Sequence, residues 1–236
     1  MENRIFKTII FDLDGTLTDS APGILNSAMY ALEKMGIDDI KRESLYSFIG
    51  PPLMDSFRAQ FQMSEEDARK SVNYYREYYR NKGVLEVALY PGMKEVLAAL
   101  KEKGYCIMMG TSKPEVFANQ IANHLEIDSY FDLIAGANLE GTRDQKVDVL
   151  KYGLEKIGTN NPAEILMVGD RKFDVLGAKK LSIDTLGVLY GYGNREELQK
   201  AGAKWIVESP VEILEFLERG DVGEEERKEG IKTVNE

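Results

Sequence analysis

Apolar side chains dominate the first strand-like stretch of this chain (Ile5, Phe6, Ile9, Ile10, Phe11), and the run stops abruptly at Asp12-Leu13-Asp14-Gly15-Thr16. A short β-branched and aromatic run predicts a buried strand, and Gly15 permits a sharp exit from it. After Asp19 the period changes. Ile24, Leu25, Ala28, Ala31, Leu32 and Met35 recur at helical spacing behind Ser20-Ala21-Pro22 and stop at Gly36. Every periodic segment from there to about Val87 reads helical: Lys41–Phe48, Leu53–Phe61, and a long helix from Ser64 through Tyr79, with Ile49-Gly50-Pro51-Pro52 as a break. Ser64 and Asp67 have the form of a capping pair. Tyr74, Tyr75, Tyr78 and Tyr79 read as packing residues of that helix.

From Tyr90 onward, short strands alternate with amphipathic helices. The expected order is helix Gly92–Lys103, strand Tyr105–Thr111, helix Glu115–Leu125, strand Phe131–Ala135, helix Val147–Ile157 and strand Ile165–Gly169. Helix Phe173–Leu181, strand Thr185–Val188 and the helices Glu196–Ala201 and Val211–Leu217 complete it. Such alternation predicts an α/β fold, a doubly wound, mostly parallel sheet of Rossmann-like type. A parallel sheet cannot absorb the all-helical stretch, so that stretch reads as an inserted second domain. The expected division is a core of residues 1–18 and 89–219, a helical insertion of residues 19–88, and a polar tail of residues 220–236 that is a candidate for fraying.

Composition narrows the function classes. The chain has 236 residues, 43% hydrophobic and 30% charged, as an ordinary globular protein does. Thirty basic against forty acidic side chains give a net charge of -10, which argues against nucleic-acid polymers and anionic membranes as partners. The single cysteine, Cys106, forms no internal disulfide and reads as a packing residue. With one histidine, His124, neither a His-pair metal site nor a Ser-His-Asp triad can be built. No segment approaches the ~20 apolar residues of a membrane helix, and Met1–Lys7 is too charged for a signal peptide. A cytoplasmic location is expected.

Ligands of doubly wound sheets bind at the carboxyl ends of the strands, where Asp12, Thr111 and Asp170 are all predicted to lie. Asp12 and Asp14, two residues apart on an extended segment, face the same side and repel each other. A cation is expected between them, most simply a divalent metal. Three further segments extend the pattern: Met108-Met109-Gly110-Thr111-Ser112-Lys113, Lys146 heading a helix, and Ile165-Leu166-Met167-Val168-Gly169-Asp170-Arg171-Lys172-Phe173-Asp174. Together and in this order they resemble the haloacid dehalogenase-like phosphatases, specifically the branch of phosphoglycolate phosphatases and some 5′-nucleotidases. The resemblance runs nearly the whole chain, to about Leu217.

The chemistry suits these residues. A carboxylate of reference pKa ~3.9 is already ionised at neutral pH, so Asp12 can attack phosphorus to give an aspartyl phosphate. Asp14 is placed to protonate the leaving alcohol and later to take a proton from water. The resemblance implies the same two roles. It also implies Mg²⁺ held by the carboxylates of Asp12 and Asp170 and the backbone carbonyl of Asp14, with Asp174 acting directly or through water. Lys146 would bridge Asp12 and the phosphoryl oxygens, and Thr111 with the following amides, beginning at Ser112, would bind those oxygens. The family's prolines after this lysine are replaced here by Val147-Asp148-Val149, which leaves Lys151 open as an alternative. Thr16 is expected to brace the turn, and Arg171 and Lys172 to balance Asp170 and Asp174.

In the family the helical insertion is a cap, here entered near Thr18–Ala21 and left near Val87–Pro91. Gly50, Pro51 and Pro52 are its best candidates for substrate discrimination, because proline fixes the backbone of a presented loop. The expected protein is a monomer or homodimer acting on a small phosphomonoester. Phosphoglycolate, nucleoside monophosphates and sugar phosphates all remain open as substrates. A sugar phosphomutase would use the same two aspartates. A dehalogenase does not need Asp14, a phosphoacceptor domain would lack the insertion, and a non-catalytic binding domain would have lost one of Asp12, Asp14, Lys146 or Asp170.

Overall fold

The computed structural model describes residues 6–219; the expectation for the tail, residues 220–236, lies outside them. The chain opens with β1 (Thr8–Phe11), buried along its whole length, and a two-residue strand β2 (Thr18–Asp19). α1 (Ala21–Lys34), α2 (Leu53–Phe61) and α3 (Glu65–Asn81) follow, and a second two-residue strand β3 (Ala88–Leu89) pairs with β2. The alternating part runs α4 (Met93–Glu102), β4 (Cys106–Pro114), α5 (Glu115–His124), β5 (Leu133–Ala137), α6 (Lys146–Ile157) and β6 (Ile165–Gly169). It ends with α7 (Lys172–Lys179), β7 (Asp184–Val188), α8 (Arg195–Ala201), β8 (Trp205–Val207) and α9 (Pro210–Arg219).

Six strands form one sheet in the order β5-β4-β1-β6-β7-β8, every pairing parallel. β1 and β6 lie inside it and are apolar on both faces, as a parallel strand covered by helices on each side must be. Ile10, Met108, Leu150, Ile165 and Met167 make one buried cluster between the sheet and α6. Order reverses at β1, which pairs with β4 on one side and β6 on the other, so β1 stands at the switch point where such sheets bind ligands.

By its contacts the chain divides into two compact units, parted at Thr18/Asp19 and Ala88/Leu89. Within the helical unit α1 packs along α3, and Tyr75 and Tyr79 are buried with their rings stacked 5.6 Å apart. The Ser64 hydroxyl accepts from the Asp67 amide, which caps α3. A carboxylate of Glu86 gathers the Asn26 amide (2.7 Å) and the Tyr78 hydroxyl (3.0 Å), tying the end of this unit back to α1 and α3.

Several local expectations need correction. Lys41–Phe48 is not an α-helix: Arg42–Phe48 is a 3₁₀ segment, too short and too polar to bury a helical stripe. Trp205–Val207, read as connection, is the edge strand β8; three apolar residues are too few to show a period. Cys106 is only half-buried, at the start of β4, and burial raises its thiol pKa. β5 starts two residues later than expected, because Asp132 turns its carboxylate onto the Ile107 amide (2.8 Å) and Lys101 (2.6 Å). Among the described residues no helix is long and apolar enough to cross a membrane.

Candidate active site

The site is built at the carboxyl ends of β1, β4 and β6. Asp12 directly follows β1, and its amide donates to Val168 O (3.0 Å), continuing the ladder by one residue before the chain turns. The turn is tight: Leu13 O accepts from the amides of Thr16, Leu17 and Thr18, and Gly15 takes a φ of +86°. Thr16, fully buried, donates its hydroxyl to Asp170 Oδ1 (3.2 Å), so it braces the turn against the end of β6.

Asp170 follows β6, and Asp174 lies in the first turn of α7, where the helix dipole favours a negative charge. Asp12, Asp170 and Asp174 are all buried, and one carboxylate oxygen from each falls within 4.8 Å of the others. Burial pushes the Asp170 carboxyl well above its ordinary pKa, and the charges of Asp174 and Asp12 add to the rise. Asp174 is raised to about 6 by burial and by Asp12, although Lys146 opposes the rise. Its other oxygen accepts from the Arg171 amide (3.1 Å).

Lys146 is the first residue of α6 and is buried. Its ammonium lies 2.8 Å from Asp12 Oδ1 and 2.8 Å from Asp174 Oδ1, and donates to Gly110 O at 3.0 Å. One ammonium thus makes two buried ion pairs and one hydrogen bond to the main chain. Burial alone would lower its pKa, but Asp12 and Asp174 outweigh that and hold it above the usual lysine range. Gly177 on α7 makes room for the stem: a Cβ there would stand 2.7 Å from Lys146 Cγ. Lys151, left open by the sequence, is exposed one turn further along α6.

β4 carries an irregularity at its tip. Gly110 pairs with Ala135 and Pro114 with Ala137, so four steps along β4 match two along β5. Such a bulge re-aims side chains. Thr111 and Lys113 within it are buried, Ser112 half-buried, and the Thr111 hydroxyl accepts from the Lys113 amide (3.2 Å). Lys113 Nζ lies 3.0 Å from Asp14 Oδ2. Asp14 therefore does not put its side chain into the acid cluster; it faces a different cation.

The structure brings together Asp12, Asp170, Asp174 and Lys146, with Asp14 and Thr111 on adjoining strand ends. Gly50, Pro51 and Pro52 belong to the other unit, with Pro52 capping α2. Arg171 makes its ion pair with Glu197 (2.9 Å), while its charge also lowers the pKa of Asp170. The sequence reading missed Lys113, although it ends the Gly110-Thr111-Ser112-Lys113 segment, and it missed the loop after β7. There the Tyr192 amide donates to Asp170 Oδ2 (2.8 Å) and the Tyr190 hydroxyl to Thr16 O (3.0 Å). The signal for that loop was Gly191-Tyr192-Gly193, a close-approach sequence directly after a buried strand.

The acid cluster fits a metal ion. All of its donors are hard carboxylate oxygens, and burial, together with neighbouring carboxylate charge, raises the pKa of Asp170 and Asp174. A small oxygen-seeking dication of the Mg²⁺ kind suits such a set better than a soft metal.

Comparison with known proteins agrees with this arrangement. Residues 9–188, more than half of the chain, match the model of the family described as haloacid dehalogenase-like hydrolase. A 5′-nucleotidase of Pseudomonas aeruginosa is 41% identical over 194 residues, 82% of this chain and 87% of that one. A tyrosine-protein kinase of Mycobacterium tuberculosis is 38% identical over 194 residues, 82% of this chain and 66% of that one. A phosphoglycolate phosphatase of Vibrio parahaemolyticus is 30% identical over 225 residues, 92% and 98% of the two chains. Among solved structures, a predicted phosphatase from Clostridium acetobutylicum superposes with a TM-score of 0.86 at 42% identity, covering 91% of this chain and 99% of that one.

Proposed function

Because this chain belongs to the haloacid dehalogenase-like hydrolase family, we propose that it is a Mg²⁺-dependent phosphomonoesterase that works through an aspartyl phosphate on Asp12. The observation that carries this reading is the different setting of its two aspartates. Asp12 is held by Lys146 inside the acid cluster, whereas Asp14, two residues on, is held by Lys113 outside it. Two carboxylates in unlike environments suit two unlike roles.

In this reading Asp12 is the nucleophile and Lys146 fixes its carboxylate for attack while offsetting the charge of the incoming phosphate. Thr111, at the tip of β4, donates its hydroxyl to a phosphoryl oxygen, and the amides that follow from Ser112 lead into α5, whose N-terminus favours an anion. Asp14 gives a proton to the leaving alcohol and then takes one from the water that opens the acyl phosphate. Asp12, Asp170 and Asp174, with the backbone carbonyl of Asp14, would hold Mg²⁺, which when bound supplies positive charge to the phosphoryl group. Thr16 and the Tyr192 amide keep Asp170 in place for it.

These residues handle only the phosphoryl group, so choice among esters is assigned to the helical unit Asp19–Ala88, with Gly50, Pro51 and Pro52 its first candidates. A small phosphorylated metabolite is the substrate class. A phosphoglycolate-type ester is favoured by relatives that match along almost their whole length, and a nucleoside monophosphate by the 5′-nucleotidase at higher identity. The test is phosphate release from a panel of both ester types, with chelator and then with Mg²⁺ restored. Phosphate release separates hydrolysis from mutase or kinase chemistry, since transfer to a sugar or a tyrosine frees no phosphate.

A further inference from the structure

We propose that Lys113 is a positioning residue that fixes the carboxylate of Asp14 for proton transfer to the leaving group, an inference that rests on the phosphatase reading above. Lys113 Nζ is 3.0 Å from Asp14 Oδ2, and both side chains are largely shielded, at 6% and 16% exposure. A shielded ion pair is far better at holding one geometry than an exposed one. Asp14 Oδ1 is buried and has no hydrogen-bond partner among the described residues. The pair thus distinguishes the two oxygens: Oδ2 is taken up by the ammonium, and Oδ1 is the atom left to carry a proton.

The backbone explains how a strand-end lysine comes to face this carboxylate. Between Gly110 and Pro114 β4 gains two residues on β5, and the bulge buries Lys113 along with Thr111 while its main chain stays in the sheet. One irregularity therefore sets both the hydroxyl assigned to the phosphate and the cation that holds the acid. The Lys113 carbonyl is packed where a side chain at Gly136 would come within 2.6 Å, so the bulge has little room to shift.

The proton step balances as follows. The electron pair of the breaking P–O bond stays on the leaving oxygen, which takes the proton from Asp14 Oδ1 as Asp12 bonds to phosphorus. In the second half the attacking water gives its proton back to Asp14 Oδ1 as its oxygen bonds to phosphorus and the Asp12–phosphorus link breaks. Lys113 stays an ammonium throughout and exchanges nothing. Its contribution is geometric, and it matters most where the leaving group most needs a proton.

The experiment compares kcat and KM of wild type, Lys113→Met and Lys113→Arg on p-nitrophenyl phosphate, a good leaving group, and glycerol 2-phosphate, a poor one. Expected is a kcat loss on the glycerol ester about tenfold or more beyond that on the aryl ester, a part of the 10²–10⁴ that general acid catalysis supplies. KM should change little, and Lys113→Arg should recover part of the loss. In a double-mutant cycle, Lys113→Met should cost almost nothing further once Asp14→Asn is present. Equal losses on both esters, a loss confined to KM, or additive losses in the cycle would overturn the role of Lys113 alone. Should Lys113→Met fail to fold, Lys113→Gln, which keeps a polar head but no charge, decides in the same sense on the same two esters. A wild-type protein inactive on both esters with Mg²⁺ present would overturn the phosphatase reading and this proposal with it.

Discussion

Lys146 and Asp12 lie 134 positions apart in sequence and 2.8 Å apart in the fold, and the same ammonium reaches Asp174 at 2.8 Å. One cation thus stands between β1 and α7 at the point where three buried acids converge. Replacing it should reveal how much the cluster depends on it. Lys146→Met, which keeps most of the stem, should abolish turnover. It should also destabilise the chelated protein by about 3–5 kcal/mol, the usual cost of leaving one side of a buried pair uncompensated. Urea denaturation with and without Mg²⁺ measures this, and part of the loss should return with the metal.

The two aspartates at the end of β1 should fail in different ways. On the proposed mechanism Asp12→Asn removes the nucleophile, so neither product nor a covalent phosphoryl adduct should form. Asp14→Asn keeps the nucleophile, so an activated aryl phosphate should still leave a phosphoryl group on the protein while steady turnover collapses. Intact-mass measurement after exposure to the ester distinguishes them. Near-normal turnover by Asp12→Asn would rule out the covalent route.

Metal binding should be visible without any assay of activity. Mg²⁺ should raise the thermal midpoint of the wild-type protein, since a ligand that binds only the folded state stabilises it by ~2.7 kcal/mol at a hundredfold excess over Kd. Asp170→Asn should reduce that gain sharply. An equal gain in both proteins would place the ion elsewhere.

Acidity should act in a defined direction on the metal-free protein. Asp170 and Asp174 have folded pKa values above the ordinary carboxylate value, Asp174 at about 6. Such groups contribute stability that is complete below their unfolded pKa of ~3.9 and is lost as pH rises through the folded value. Lys146 is raised too, but its contribution fades only above the lysine range of ~10.4, outside this window. Chelated protein should therefore lose stability as pH rises from about 4 through about 6 by way of Asp174, and Mg²⁺ should stabilise it more at the upper end. The slope should flatten in Asp170→Asn.

The break at Gly50-Pro51-Pro52 offers a test of where ester choice resides. Pro52 caps α2 and its carbonyl accepts from the Asp55 and Ser56 amides, both at 3.1 Å, so glycine at 51 and 52 loosens this entry while leaving those backbone acceptors in place. A role in discrimination predicts that kcat/KM falls more for the preferred ester than for a small aryl phosphate. Equal losses would leave the segment a connector.

Much of the fold is legible in the sequence because it rests on local pattern. Ile9-Ile10-Phe11 and Ile165–Gly169 read as strands since both runs are without charged or strongly polar residues, which a strand covered on both faces requires. The carboxylates that follow them could be placed at one edge of the sheet for the same reason: strands running parallel end on the same side. What could not be read is what lies opposite each group. Lys146 and Lys151 share a helix and a charge, and only the packing of α6 against α7 buries the first and exposes the second. Arg171 stands beside two aspartates in sequence yet pairs with Glu197, because α8 packs against α7. Lys113 meets Asp14 through the neighbouring of β4 and β1 and a bulge that no local propensity announces. Hydrophobic period and strand ends are properties of a few adjacent residues, so the sequence alone determined most of the strands and helices and the edge that carries the acids. The partner of each charge depends on strand order and on two-residue shifts in register, and only the tertiary structure decided those.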